Sequence, residues 1–322
     1  MEIRKICIVG GTGFVGRHLA NELTGRRFRT RVLTRRRERH RELLVLPTLE
    51  LVQANVHSLA DLSTQFKGCD AVINLAGILN AWPRPGADFE AVHAALPRKI
   101  VEACLNNGIS RLLHMSALNA AADAPSVYLR TKAEGERIVH EAAHSGLHVT
   151  SFQPSVIFGP DDDFFNRFAT LLKMSPFVFP LACPDTEFAP VYVEDVAHAF
   201  AKSLTDKSTF GKRYELCGPD RMTLRELVEY TAHHAGLRRK IIGLNDRLSR
   251  LQARVLELAP GKPFSTDNYL SMQVPSVCKS NGFAALGITP RGLDTAVPKY
   301  LAHRDRGTLY RRLRSRAGRV TG

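Results

Sequence analysis

Ile6-Cys7-Ile8-Val9-Gly10-Gly11-Thr12-Gly13-Phe14-Val15-Gly16 runs four apolar residues straight into glycines spaced three apart. A strand that turns sharply into a helix needs a residue without a Cβ at the turn, another where a pyrophosphate approaches backbone, and a third where helix meets strand. The helix that follows offers free N–H groups to the phosphates. An apolar strand before the turn and a helical pattern after it (Phe14, Val15, Leu19, Leu23) supply the context that a bare glycine motif lacks. The stretch predicts a dinucleotide-phosphate cradle with Gly10, Thr12, Gly13, Phe14, Val15 and Gly16 as its contacts.

Outward from this turn, short apolar runs alternate with helical patterns up to about Ile157, as in a parallel doubly wound sheet. The strand candidates are Ile6–Val9, Thr30–Leu33, Leu49–Gln53, Ala71–Leu75, Arg111–Met115 and Val149–Gln153. Helices are expected over Gly13–Leu23, Leu59–Phe66, Phe89–Asn107 and from Val127 to about His144. Beyond Gly159-Pro160 the chain becomes rich in Phe and Pro, and Thr223-x-x-Glu226 forms a capping box at the head of a helix Leu224–Ala235. The fold class expected is α/β: a Rossmann-type doubly wound parallel sheet over residues 1–160, with 190–204 packing back on it. A smaller C-terminal lobe is expected over 161–302, with Tyr214–Cys217 as one of its strands, and a basic tail over 303–322.

The 322 residues are 44% hydrophobic, enough for a full core. Lys and Arg number 45 against 31 Asp and Glu, a formal net charge of +14, so anionic partners are expected. The six cysteines (Cys7, Cys69, Cys104, Cys183, Cys217 and Cys278) form no CxxC pair and no Cys/His ligand spacing; they read as buried thiols of a reducing compartment, with no metal site. No run reaches the roughly 18 apolar residues of a membrane-crossing helix, and Met1 leads almost at once into the first strand. A cytoplasmic location without a targeting peptide is the expectation. The basic residues are spread along the chain and no nucleic-acid module is present, so nucleic acid is not an expected partner.

Two features bear on chemistry. After Val32-Leu33, where a carboxylate would hold a ribose 2′-hydroxyl, stands Thr34-Arg35-Arg36-Arg37, whose guanidinium groups suit a 2′-phosphate. NADP(H) is thus expected over NAD(H), with Arg35 as a contact. Tyr128 and Lys132 are four apart, hence on one face of a helix; a neighbouring ammonium favours phenolate and would lower the phenol's pKa from about 10. Ser116 follows the strand Arg111–Met115, where its hydroxyl would face the ligand edge. Ser116, Tyr128 and Lys132 form the candidate catalytic set, Lys132 also reaching the ribose.

GGTGFVG, Asn74-Leu75-Ala76-Gly77, Ser116 and Tyr128/Lys132 resemble the short-chain dehydrogenase/reductase superfamily, in its extended or atypical branch. The segments YLRTKAEGE (Tyr128–Glu136), FGPDDDFFNRFA (Phe158–Ala169), PVYVEDVA (Pro190–Ala197) and GITP (Gly287–Pro290) are more discriminating. They resemble the nucleotide-binding accessory subunits of respiratory complex I (alpha subcomplex subunit 9) and their bacterial relatives. The resemblance implies a bound nicotinamide dinucleotide, most often NADPH, touching Ala76 and Asn55, and, for the mitochondrial members, a structural rather than catalytic role. Gln153 replaces the arginine usual before Pro154 and His93 an asparagine, which weakens the alternative of a nucleotide-sugar epimerase or dehydratase; Asn55, in place of the usual aspartate near the adenine, is a milder change.

Leu244, Leu248, Leu251, Val255 and Leu258 recur at helical spacing with Arg247, Arg250 and Arg254 elsewhere on the wheel, a basic amphipathic helix. Either packing on the small lobe or docking on a membrane surface or partner accounts for such a helix. With the arginine-rich tail from His303, it allows a peripheral position on the inner membrane or a membrane protein complex.

Overall fold

The computed structural model describes residues 2–80, 87–259 and 262–301. The tail expected over 303–322 lies outside the described residues. Seven parallel strands form the central sheet: β1 (Lys5–Val9), β2 (Arg29–Thr34), β3 (Leu49–Gln53), β4 (Ala71–Asn74), β5 (Arg111–Met115), β6 (His148–Pro154) and, much later in the chain, β11 (Arg213–Leu216). Their order is β11-β6-β5-β4-β1-β2-β3, with the crossover between β3 and β4 placing the chain reversal beside β1. That is the doubly wound α/β arrangement, and ligands of such sheets bind outside the strand C-termini at that switch point. Tyr214–Cys217, expected in the small lobe, instead extends the large sheet: Arg213 pairs with Ser151 and Leu216 with Pro154. A four-residue strand carries no mark of which sheet it will join, because pairing is decided by the neighbour it meets.

Near-continuous apolar strands are buried on both faces, as a parallel sheet requires. One face packs Ile6, Ile8, Val32, Leu113 and Phe152 against α1 (Phe14–Gly25) and α7 (Val193–Ser203). The other packs Cys7, Val9, Val72, Leu112 and Val149 against α2 (Leu59–Phe66), α4 (Leu96–Asn106) and α5 (Val127–Glu141). Before α4 come the short α3 (Ala87–Glu90) and a π-helical turn over Ala91–Ala95. Arg111, 0% exposed on β5, gives its guanidinium to the carbonyls of His148, Ser203 and Leu204 and the hydroxyls of Thr150 and Thr209. Burial brings it down to about 10.

Three two-stranded ribbons frame the small lobe: β7 (Ile157–Phe158) with β10 (Val191–Tyr192), β9 (Glu187–Phe188) with β12 (Met222–Thr223), and β8 (Val178–Leu181) with β13 (Lys240–Gly243). Phe158, Phe165, Phe179, Phe188 and Leu227 build its core between α6 (Phe165–Met174), α8 (Leu224–His234) and α12 (Leu293–Leu301). The Thr223/Glu226 capping box is present as expected. The remaining helices are α9 (Asp246–Glu257), α10 (Thr266–Ser271) and α11 (Gly282–Ala285). Cys217 and Cys278, expected as free thiols, are joined in a disulfide that ties the end of β11 to the loop before α11. Chain pairing across 61 residues leaves no trace in local spacing. Cys7, Cys69, Cys104 and Cys183 are free.

Candidate functional site

The glycine turn sits between the C-terminal ends of β1 and β4. Gly10 has φ +82°, and a Cβ there would meet the backbone of Leu75 and Ala76 at 2.8 Å. Gly16 lets α1 rest on the turn itself, since a Cβ would lie 2.5 Å from Gly11. Gly13 is the N-cap of α1; no side chain caps it and no acidic residue occupies the first turn. The unsatisfied N–H groups of that turn therefore face the space above the sheet, where a phosphate would complete them. Thr12, Phe14 and Val15 are half-buried beside it, the last two packed on the small-lobe core. Asn74 accepts from the Ala76 N–H at 3.1 Å, which shapes the facing loop. A backbone cradle stripped of side chains and backed by an open helix end fits a dinucleotide pyrophosphate.

At the end of β2, Arg35 is exposed and its charge acts on His57, which burial, then Lys99 and Arg35, hold below the usual imidazole range. Asn55 is exposed and folds back on its own loop: its Oδ1 accepts from the His57 N–H at 3.1 Å while its own N–H goes to Asp61 at 2.9 Å. That side chain builds the turn after β3.

α5 carries the rest. Ser126 caps it by accepting from Leu129 N–H, and Asp267 of α10 accepts from the N–H groups of Val127 and Tyr128 at 2.7 and 3.2 Å. Tyr128 packs edge-on against Phe89 and His93. Burial, followed by the Asp267 charge, pushes its phenol up to about 12, the reverse of the fall expected from Lys132 alone. The Lys132 ammonium is turned to the Met115 carbonyl, and desolvation sets the direction of the shift. Lys132, 4% exposed, gives its ammonium to the Met115 carbonyl at 3.1 Å; burial brings it down to about 8, with Glu136 acting in the opposite sense. Its Nζ lies 3.1 Å from where a Gly77 Cβ would stand, so the β4–α3 loop passes directly over it. His93 is held neutral, down to about 2, by burial and then by Lys132 and His114. Its Nε2 accepts from Ile78 N–H at 3.1 Å, which leaves Nδ1–H facing Thr131 Oγ1 at 3.1 Å.

Tyr128, Lys132 and the glycine turn thus share the ligand edge of the sheet. Ser116 follows β5 as expected, but its hydroxyl is engaged: 2% exposed, it donates to Glu136 at 2.8 Å, and Gln153 donates to the same carboxylate oxygen at 2.8 Å. A residue one past an alternating strand points to the α5 side if His114 does, which fixes its partner. Arg213 completes this group with an ion pair to Glu136 at 3.4 Å. A pocket of about 690 Å³ opens on Glu136 and Gln153, and neither Tyr128 nor Lys132 lines it. Glu136 lies four residues past Lys132, a spacing that marks it as Lys132's neighbour; Asp267, 139 residues from Tyr128, has no local signal.

Residues 6–217 match the NAD dependent epimerase/dehydratase family. The chain is 32% identical over 69% of its length to the mouse mitochondrial protein named NADH dehydrogenase [ubiquinone] 1 alpha subcomplex subunit 9, the match spanning 59% of that protein. It is 31% identical to the ceramide reductase of Caulobacter vibrioides, over 75% of this chain and 74% of that one. Among solved structures, a dTDP-glucose 4,6-dehydratase from Streptomyces venezuelae with NAD bound superposes at a TM-score of 0.73 and 17% identity, over 95% of this chain and 98% of that one, a likeness of fold.

Proposed function

This chain belongs to the NAD dependent epimerase/dehydratase family, and from that premise we propose that it binds NADP(H) and interconverts a carbonyl and an alcohol through Tyr128 and Lys132. The observation that supports the reading most is the uncapped, acid-free first turn of α1 behind Gly10–Gly16, with Arg35 rather than a carboxylate past β2. A bound nicotinamide would supply or take up the hydride. The chain's own part is to hold and protonate the other reactant. Tyr128, kept as phenol well above neutrality, is set to donate a proton to a carbonyl oxygen. Lys132, an ammonium below about pH 8, is set to hold ribose hydroxyls and stabilise the phenolate left behind.

One observation favours a second reading, in which the nucleotide is a resident structural ligand or redox sensor. Ser116, the hydroxyl that would share the carbonyl oxygen with Tyr128, is committed to Glu136. Turnover separates the two: bound nucleotide is oxidised in the presence of a carbonyl substrate in the first and persists in the second. Quinones, isoprenoid carbonyls and 3-oxo lipids form the panel, the last because the Caulobacter relative is named for ceramide. The location we propose is peripheral to a membrane or a membrane-bound assembly, supported by the net charge of +14 and by the mouse relative's name. Among the described residues no helix is long and apolar enough to cross a membrane.

Titration of both nucleotides into wild type and Arg35→Ala tests cofactor choice. NADPH should bind roughly tenfold or more tightly than NADH, from a charge-assisted contact worth about 1.5–3 kcal/mol, and Arg35→Ala should erase most of the difference. Equal wild-type affinities sink the NADP(H) assignment.

A further inference from the structure

We propose that the outer face of α9 is a lipid-docking surface that seats the small lobe on an anionic bilayer. It builds on the peripheral location given above and names the face and the partner. The helix is amphipathic in an inverted sense. Ser249 and Ala253, 1% and 0% exposed, are the residues it buries against the lobe, whereas Leu248, Leu251, Val255 and Leu258 are 47, 56, 58 and 89% exposed. At about 100° per residue these four fall within about 80° of one another, on roughly the opposite side from Ser249 and Ala253. A core-facing helix does the reverse, and contiguous apolar exposure of this kind marks a binding surface.

The inner side is already fully engaged. Ser249 receives the Cys183 N–H at 3.2 Å, and Gln252 donates to the Pro180 carbonyl at 3.0 Å. The helix's two carboxylates are engaged by α10, Asp246 taking the Tyr269 hydroxyl and Glu257 the N–H and hydroxyl of Thr266. That leaves Arg247, Arg250 and Arg254, all exposed, on the flank of the apolar stripe, and none of them is in an ion pair with a described carboxylate. Nearby on the same lobe, Phe177 and Met174, at the head of the β8/β13 ribbon that Gln252 ties to α9, are 79 and 76% exposed.

Charge complementarity selects the occupant. Two copies of this face would bring like-charged arginine rows together on chains of net charge +14. An anionic bilayer interface satisfies both elements at once: the apolar side chains enter the headgroup/acyl boundary while the guanidinium groups meet lipid phosphates.

The test is flotation of the full chain with phosphatidylcholine vesicles, with and without phosphatidylglycerol, beside sedimentation with native membrane vesicles. Wild type should float with the anionic vesicles, and raised salt should weaken but not abolish this. Leu251→Glu with Val255→Glu should reduce binding at least about tenfold, and Arg247→Glu with Arg250→Glu and Arg254→Glu comparably at low salt, with unchanged melting temperature. Leu258→Gln, at the most exposed position, should weaken binding in the same sense and guards against misfolding of the double variant. Binding to native membranes but not to lipid vesicles would overturn the lipid face while leaving the peripheral location standing. Vesicle binding indifferent to all three variants, or a dimer in solution that Leu251→Glu/Val255→Glu dissolves, would also overturn it.

Discussion

The glycine turn and the Tyr128–Lys132 shelf flank the same edge of the sheet and are made in opposite ways. The turn is built from backbone within seven residues, and its capacity for phosphate lies in what is missing: side chains at Gly10 and Gly16 and a cap on α1. The shelf is built from side chains whose chemistry is set by distant partners: Met115 for Lys132, Phe89, His93 and Asp267 for Tyr128. A backbone site has one way to fail, by steric filling. A side-chain site is tuned by each neighbour separately, so its perturbations should be graded and specific.

The largest expected effect strikes the turn. Gly16→Val would drive a branched side chain into the Gly11 backbone 2.5 Å away, costing at least about 4 kcal/mol and losing nucleotide binding together with stability. Thermal melting and nucleotide titration check this, and a variant that keeps both would break the contrast. Next comes Tyr128→Phe, which should lower turnover by about 10²- to 10⁴-fold while leaving nucleotide affinity close to unchanged, since the ring still packs on Phe89 and His93. Full activity in that variant rules out the proposed proton transfer.

A smaller effect lies in the pH dependence of Lys132, whose surroundings are Glu136, His93 and His114. As pH rises through about 8 the ammonium is lost, so kcat/KM should fall by about tenfold per unit on the alkaline side. Stability should move the other way. The folded pKa is depressed from 10.5, so between about 8 and 10.5 the unfolded chain binds the extra proton and rising pH favours the folded state. A Lys132→Met variant should flatten both profiles. Smallest is Asp267→Asn, which weakens the charged cap on α5 by about 1 kcal/mol and removes one of the two causes that raise the Tyr128 phenol. Its melting temperature should drop slightly and the phenol should titrate lower, with the glycine turn's affinity for nucleotide unmoved.

This contrast also explains how far the sequence could be read. Six of the seven central strands and the phosphate turn follow from local period and from glycine spacing, because burial on both faces forces continuous apolar runs. The seventh strand, the Cys217–Cys278 bridge and Asp267 over α5 all depend on pairings far apart in sequence. Ser116 was placed correctly at the end of β5, yet its hydroxyl turns to Glu136. The Tyr128 phenol is raised rather than lowered because burial and the distant Asp267, both properties of the assembled fold, act on it, while the ammonium four residues away is turned to the Met115 carbonyl. The amphipathic character of α9 was plain, but which side it buries was not, since a helical wheel carries no outside.

The bridge between Cys217 and Cys278 makes the segment between them a closed ring rather than an open span. In polymer terms the unfolded chain is a lariat, and the chain-entropy argument credits a loop of this size with about 4 kcal/mol. The ring contains α8, β13, α9 and α10, and both of its ends meet at one point, immediately past β11. α9 thus belongs to a segment whose two ends are fixed together beside β11, the strand hydrogen-bonded to β6 next to Gln153. The ring leaves the edge of the central sheet and is clipped back at the residue where it left.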